Sequence, residues 1–231
     1  MKTLGLIGGI SYHSTTVYYN LINQLVNEKL GSNHAAKLLL YSVNYADFKQ
    51  LQTNNDWDGI ENMLSDIAIK LENAGADCIL LCCNTAHIIA DELRQKIKIP
   101  LIHIADETTK ELVKLRIKKV GLLGTKFTME NPFFAGRLAN VDIETALPSP
   151  MERTLIHNAI LDELSKGSLS SKSKEVFQLV IQNLKEKGAE AVIFGCTEIG
   201  MFIDQTDCEL KILDTSIIHI KAAVDFALST T

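Results

Sequence analysis

AGADCILLCCNTAH (74–87) runs a buried-looking apolar stretch into two adjacent cysteines and a short polar turn, and KGAEAVIFGCTEIG (187–200) repeats that arrangement 113 residues later. Each stretch opens on a glycine-bearing turn, continues through an apolar run, and ends on a cysteine followed by hydrogen-bonding side chains. An apolar run without polar alternation suits a strand buried on both faces of a parallel sheet. A second pair of stretches repeats too, since KTLGLIGGIS (2–11) resembles KKVGLLGTKF (118–127). Gly8 stands 75 positions before Cys83, and Gly124 stands 72 before Cys196. The chain therefore reads as two similar halves.

Working outward, TLGLIG (3–8), KLLLYSV (37–43), DCILLC (77–82), PLIHI (100–104), VGLLG (120–124), AVIFG (191–195) and KILD (211–214) are expected strands. The segments 14–29, 59–74, 86–97, 106–116, 152–165, 172–187 and 216–228 are expected helices. Their alternation predicts an α/β fold, with two pseudo-symmetric lobes that are each a mostly parallel sheet flanked by helices. KILDTSIIHIKAAVDFAL (211–228) is expected to return and complete the first lobe. That divides the chain into 1–101 plus 209–231 for the first lobe and 102–208 for the second, with PLIHIADET (100–108) as crossover or as the opening of the second. Ligands of open parallel sheets sit beyond the carboxyl ends of the strands. Cys83 and Cys196 both fall at that edge, so an active site in a cleft between the lobes is expected.

Composition narrows the function classes. Of 231 residues, 46% are apolar and 22% charged, with a net charge of −5 spread along the chain. This is an ordinary globular balance with no clustered basic patch, so neither nucleic acid nor an anionic membrane is expected as a partner. No apolar run approaches the ~18 residues of a membrane span. MKTLGLIGGIS (1–11) imitates a signal peptide, but its glycines and the missing small-residue cleavage pattern favour a first buried strand. The five cysteines (Cys78, Cys82, Cys83, Cys196 and Cys208) are an odd set, which points to a reduced, cytoplasmic setting instead of a disulfide framework.

Cys83 and Cys196 each precede an expected helix, whose free N–H groups and dipole would favour a thiolate. Asn84, Thr85 and Thr197 add capping side chains and donors for a carboxylate. Two thiols facing one site could invert a carbon centre, one removing a proton while the other delivers one to the opposite face. Donors around them would stabilise the enolate-like charge, and no cofactor is needed. The alternative is that these cysteines merely pack, as free cysteine often does. Cys82 should point to the opposite face of its strand from Cys83, and Cys78 and Cys208 have no repeated partner, so these three read as packing. A metal site from Cys82, Cys83 and His87 matches no common zinc spacing.

GLIGGIS (5–11), CNTAH (83–87), GLLGTKFTM (121–129), GCTEI (195–199) and DTSIIHIKA (214–222) together resemble the aspartate/glutamate racemase family, and the likeness spans nearly the whole chain. The resemblance implies two α/β lobes, an amino-acid substrate, no pyridoxal phosphate or metal, and Cys83 and Cys196 as acid and base. It places Ser11, Asn84, Thr85, Thr125 and Thr197 at the substrate's α-carboxylate and amino groups, where the plainer reading is caps and turns. SVNYADFKQLQ (42–52) and DELSKGSL (162–169) match substrate-facing segments, which nominates Lys49, Gln52 and Lys166 for a side-chain carboxylate. Some relatives carry threonine for the first cysteine and handle one enantiomer; Cys83 implies action in both directions. Tyr12 and His13 depart from the family's usual residues, which bears on substrate preference. His87 and His219 follow the pattern either as buried structural histidines or as proton shuttles, and Glu198 either caps its turn or meets an ammonium group. A homodimer is compatible with the resemblance. Other readings are a superfamily dicarboxylate isomerase or decarboxylase, such as a maleate isomerase, and a non-catalytic amino-acid-binding module.

Overall fold

The computed structural model describes residues 1–229. The chain forms two compact units, one from Met1–His103 with the stretch from His219 onward, the other from Ile104–Ile218. Each unit is a parallel sheet flanked by helices.

In the first unit, strands β1 (Leu4–Gly8), β2 (Leu38–Ser42) and β3 (Cys78–Leu81) lie in the order β2-β1-β3, all parallel. Helices α1 (Tyr12–Leu30), α2 (Tyr45–Thr53), α3 (Trp57–Asn73) and α4 (Ala90–Arg94) surround them. Side chains alternate across the central strands. Leu4, Leu6, Cys78, Leu80 and Cys82 enter one core with Tyr18, Ile22 and Val26 of α1 and with Ile220, Ala223 and Val224 of the last helix. Ile7, Ile79 and Leu81 enter the other core with Phe48 of α2 and Ile60, Leu64, Ile67 and Leu71 of α3. Because both faces are covered, these strands read as unbroken apolar runs. PLIHI departs from expectation. Only Leu101 bridges the sheet, opposite Ile79, and the next helix starts at Ile104. Pro100 lends its carbonyl to Ile79 N–H at 2.9 Å, but it has no N–H with which to extend a ladder.

The second unit contains β4 (Lys119–Gly124), β5 (Glu144–Ala146), β6 (Ala191–Gly195) and β7 (Lys211–Asp214) in the parallel order β5-β4-β6-β7. Its helices are α5 (Ile104–Lys114), α6 (Lys126–Glu130), α7 (Pro132–Ala139), α8 (Pro150–Asp162) and α9 (Ser171–Glu186). Helix α10 (Thr215–Leu228) starts in this unit, and from His219 it belongs to the first. The expected return of 211–228 to the first lobe is therefore corrected. KILD is the fourth strand of the second sheet, pairing Ala191–Phe194 with Lys211–Asp214, because the outer edge of the buried strand β6 needs partners for its backbone groups. Only the helix beyond it serves the first unit. Strand β5 and helix α2 were not expected, since a three-residue strand reading ETA and a helix reading YADFKQLQT carry little apolar signal.

The sequence repeat is a repeat of hydrogen bonds. Helices α3 and α9 each end two residues before a glycine with positive φ, Gly75 at 95° and Gly188 at 88°. Ala76 N–H then donates to Leu71 O at 3.0 Å, and Ala189 N–H to Leu184 O at 3.1 Å, the six-to-one bond of a Schellman turn. An acidic side chain follows in each half. Asp77 Oδ2 accepts Thr3 N–H at 2.6 Å, and Glu190 Oε1 accepts Lys118 and Lys119 N–H at 2.8 and 3.0 Å. Each acid ties the entry of its own strand to the entry of the neighbouring one.

A methyl group added at Gly75 meets nothing within 4 Å, and at Gly188 its nearest neighbour is Lys119 Cδ at 3.8 Å. Gly75→Ala and Gly188→Ala should therefore each lower stability by about 1–2 kcal/mol through backbone strain alone. Urea unfolding checks this, and an unchanged midpoint for both would refute it.

Candidate active site

The candidate residues gather where strands end. Beyond β1, Ser11 caps α1, its Oγ accepting Ser14 N–H at 3.3 Å. Gly9 N–H donates to Thr15 Oγ1 at 2.9 Å, and Thr15 Oγ1 donates to Ser11 O at 2.8 Å. Ser14 Oγ donates to Cys82 O at 2.9 Å, which joins this turn to the one after β3. Tyr12 and His13 open α1 with ring centroids 4.0 Å apart. Cys82 packs among the α1-side core, whereas Cys83 is half-buried against the opposite core. The trio Cys82, Cys83 and His87 therefore does not converge, and among the described residues no cluster of three or more His, Cys, Asp or Glu could hold a metal ion. Burial pushes the Cys78 thiol up to about 12 and the Cys82 thiol higher still, so both stay protonated at neutral pH.

Asn84 and Thr85 are buried at the head of a 3-10 turn, Thr85–Ile89. The cysteine turn rests on buried histidines. His87 Nδ1 lies 2.9 Å from Cys83 O, so this nitrogen carries the proton and donates. Its ring stands edge-on to those of His103 and His219, at centroid distances of 4.6 and 5.5 Å. His219 donates from Nε2 to Ile102 O at 2.8 Å and accepts at Nδ1 from the Tyr18 hydroxyl at 2.8 Å. Burial pushes the His219 pKa down to about 4, against the opposing pull of the Ile102 carbonyl. His219 is thus a neutral, fully bonded support, and of its two expected roles the geometry favours the structural one.

In the second unit, Thr125 follows β4 and caps α6, its Oγ1 accepting Thr128 N–H at 3.4 Å. Lys126 N–H donates to His157 Nδ1 at 3.2 Å. Beyond β6, Cys196 is half-buried, and its Sγ donates to Glu198 Oε2 at 3.0 Å. Thr197 and Glu198 are buried. A 3-10 turn follows at Ile199–Met201. Thr215 Oγ1 donates to Phe194 O at 2.8 Å, and Asp214 Oδ1 accepts Ser216 N–H at 2.9 Å and Ile217 N–H at 3.3 Å.

These details correct one expectation. Neither cysteine sits at an α-helix N-terminus; each leads into a 3-10 turn, five residues long after Cys83 and three after Cys196. Such short pieces do not build the macrodipole invoked from sequence. Asn84 and Glu198 hold the turns' cap positions without a side-chain cap bond. Lys49 and Gln52 lie on α2, and Lys166 in a 3-10 turn after α8, so helical segments position them instead of strand ends. Lys49 and Lys166 are exposed and Gln52 is half-buried. Sequence reading passed over Ser14, Thr15, Tyr18, Asp214 and Thr215. The S-x-x-S and T-x-x-T spacings of 11–14 and 125–128 carried the signal for the caps.

The His219 environment gives a pH signature. An unfolded histidine titrates near ~6.5, whereas folded His219 binds its proton only near 4. Its contribution is therefore full above about pH 6.5 and is lost as pH falls toward 4, by up to about 3 kcal/mol. Urea unfolding from pH 7 to 4.5 should be less steeply pH-dependent in His219→Gln than in the wild type. Tyr18→Phe should cost about 1–3 kcal/mol at pH 7 by leaving Nδ1 buried without its donor. Parallel pH profiles for wild type and His219→Gln would contradict the assignment.

A profile of the Asp/Glu/Hydantoin racemase family matches residues 7–223. The chain belongs to that family, and is accordingly an enzyme of the isomerase class. It is 25% identical over 232 residues to the broad specificity amino-acid racemase RacX of Bacillus subtilis (strain 168), spanning 98% of each chain. A crystal structure of a candidate Asp/Glu racemase from Yersinia pestis is 43% identical with a TM-score of 0.94, covering 99% of this chain and 100% of that one. An aspartate racemase homologue from Pyrococcus horikoshii OT3 is 32% identical with a TM-score of 0.87, again over 99% and 100%. Among the described residues no helix is long and apolar enough to cross a membrane.

Proposed function

We propose that the protein interconverts the enantiomers of an acidic amino acid, aspartate or glutamate, without a cofactor, with Cys83 and Cys196 as the two proton-transfer groups. One observation carries the reading. Each cysteine occupies the same position of a repeated frame, Cys83 two residues beyond the buried strand β3 and Cys196 one residue beyond the buried strand β6, and each is half-buried where Cys78 and Cys82 are locked into the core. Racemisation requires a base on one face of the α-carbon and an acid on the other. One thiolate takes the α-proton, the bonding pair delocalises into the carboxylate, and the opposing thiol returns a proton from the other side. Ser11, Asn84, Thr85, Thr125 and Thr197 are assigned to the α-carboxylate and amino groups. Lys49, Gln52 and Lys166 are assigned to the side-chain carboxylate, which needs cationic or multiple donors. The relatives named for aspartate racemase and for broad-specificity racemase support the reaction class, and the substrate is the open quantity between them.

The test is α-proton exchange in heavy water followed by NMR, with L- and D-aspartate and L- and D-glutamate supplied separately. Wild type should exchange and invert at least one pair. Cys83→Ala and Cys196→Ala should each lose about 10²–10⁴-fold in racemisation. Folded, reduced protein that exchanges none of the four would sink the acidic-amino-acid assignment, and full activity in either cysteine variant would sink the two-thiol mechanism.

A further inference from the structure

The repeated frame diverges just after its cysteine. Two positions on stands Thr85 in the first half and Glu198 in the second; four positions on stand His87 and Gly200. The difference lies against the thiol itself, because Cys196 Sγ is 3.0 Å from Glu198 Oε2 in a donating geometry and Glu198 is 94% withdrawn from solvent. Behind this pair stands a second acid. A methyl group at Gly200 would come within 2.1 Å of Asp214 Oδ2, so the Asp214 carboxyl lies directly against the turn that Cys196 opens. Asp214 is itself held by Ser216 and Ile217 N–H and the Ser216 hydroxyl. Burial, and to a lesser degree the charge of Glu198, raises the Asp214 pKa.

We propose that Glu198 is a positioning residue that holds Cys196 in its protonated, hydrogen-donating form and aims its S–H bond. A carboxylate in contact with a sulfur accepts from the thiol and repels the thiolate. When Cys196 acts as acid, its S–H bond breaks, the proton joins the carbanion's electron pair, and the sulfur is left as a thiolate beside the carboxylate. That like-charge pair makes the thiolate a stronger base for the reverse step. In the first half the residue four positions on, His87, reaches the backbone carbonyl of Cys83.

The inference rests on the reading of Cys196 as a proton-transfer residue, and its test reads the thiol directly. Full-length protein is treated with iodoacetamide at about pH 7.5 and about pH 9.5, and alkylation of the Cys196 peptide is timed by mass spectrometry, with the Cys83 peptide of the same sample as reference. In the wild type, the Cys196 rate should climb steeply between the two pH values. Glu198→Gln should raise the Cys196 rate at the lower pH about threefold or more while slowing racemisation, and Glu198→Asp should stay near wild type. A merely structural role predicts no selective gain in thiol reactivity, and loss of fold would expose both cysteines together. An unchanged or slower Cys196 rate in folded Glu198→Gln overturns the proposal. So does wild-type Cys196 already alkylating at its maximal rate at the lower pH, a result that needs no variant. Absence of racemase activity alongside the expected alkylation pattern would overturn only the functional reading of Cys196.

Discussion

Each sheet depends on how the strand leading to its cysteine enters, and the entry is set by a left-handed glycine followed by an acid. Gly75 and Gly188 turn the chain out of a helix with positive φ, and Asp77 and Glu190 then bind the first amides of the adjacent strand. This fixes register at the amino end, six residues before Cys83 and six before Cys196. Register is binary in its consequence, because a slip of one residue moves every side chain to the opposite face. With register fixed, Cys82 must enter the α1-side core and Cys83 must leave it. The same logic delivers Cys196 past the end of β6. A turn some 20 Å away along the strand, by the ~3.3 Å rise per residue, decides which of two adjacent cysteines packs into the α1-side core.

Below the cysteine turn of the first unit, the buried His219 has both ring nitrogens bonded. A histidine placed in an apolar core costs free energy unless both ring nitrogens are bonded. His219 meets this with the Tyr18 hydroxyl on one side and the Ile102 carbonyl on the other, and burial keeps the ring neutral. Ile102 belongs to the segment that bridges β3, and Tyr18 to the helix whose Ser14 binds Cys82 O. The last helix thereby secures, through one ring, both flanks of the turn that presents Cys83. Protonation would reverse the Tyr18 contact, with Nδ1 donating to the phenol oxygen, and burial disfavours that charged form.

Much of this was legible in the sequence, for a physical reason. Strands buried on both faces must be continuously apolar, so β1, β3, β4 and β6 announce themselves, and the repeated glycine-acid-apolar-cysteine order announces the two halves. What escaped was decided by partners distant in sequence. β5 is three residues long and held by pairing with β4. PLIHI looks like KILD, yet only KILD forms a strand of four residues, because Pro100 and the early start of α5 cut the first short. KILD was assigned to the wrong unit because its neighbour β6 lies earlier in the chain while the helix after it packs elsewhere. The turns after both cysteines look like helix starts in sequence, but they are 3-10, and no local residue pattern separates the two.

The scaffold is repeated, but the side chains beyond its two cysteines are not. Two parallel sheets, one of three strands and one of four, each carry a half-buried thiol just beyond a buried strand. Within the repeated frame, the repetition is broken next to the sulfurs. The frame keeps glycine, acid, apolar strand and cysteine in common, and changes character at the second and fourth residues beyond. There the first half puts a threonine and a histidine that grips backbone, and the second puts a carboxylate against the sulfur and a glycine that admits the Asp214 carboxyl. The asymmetry is confined to side chains that no strand needs, so it leaves the register, and with it the fold, untouched.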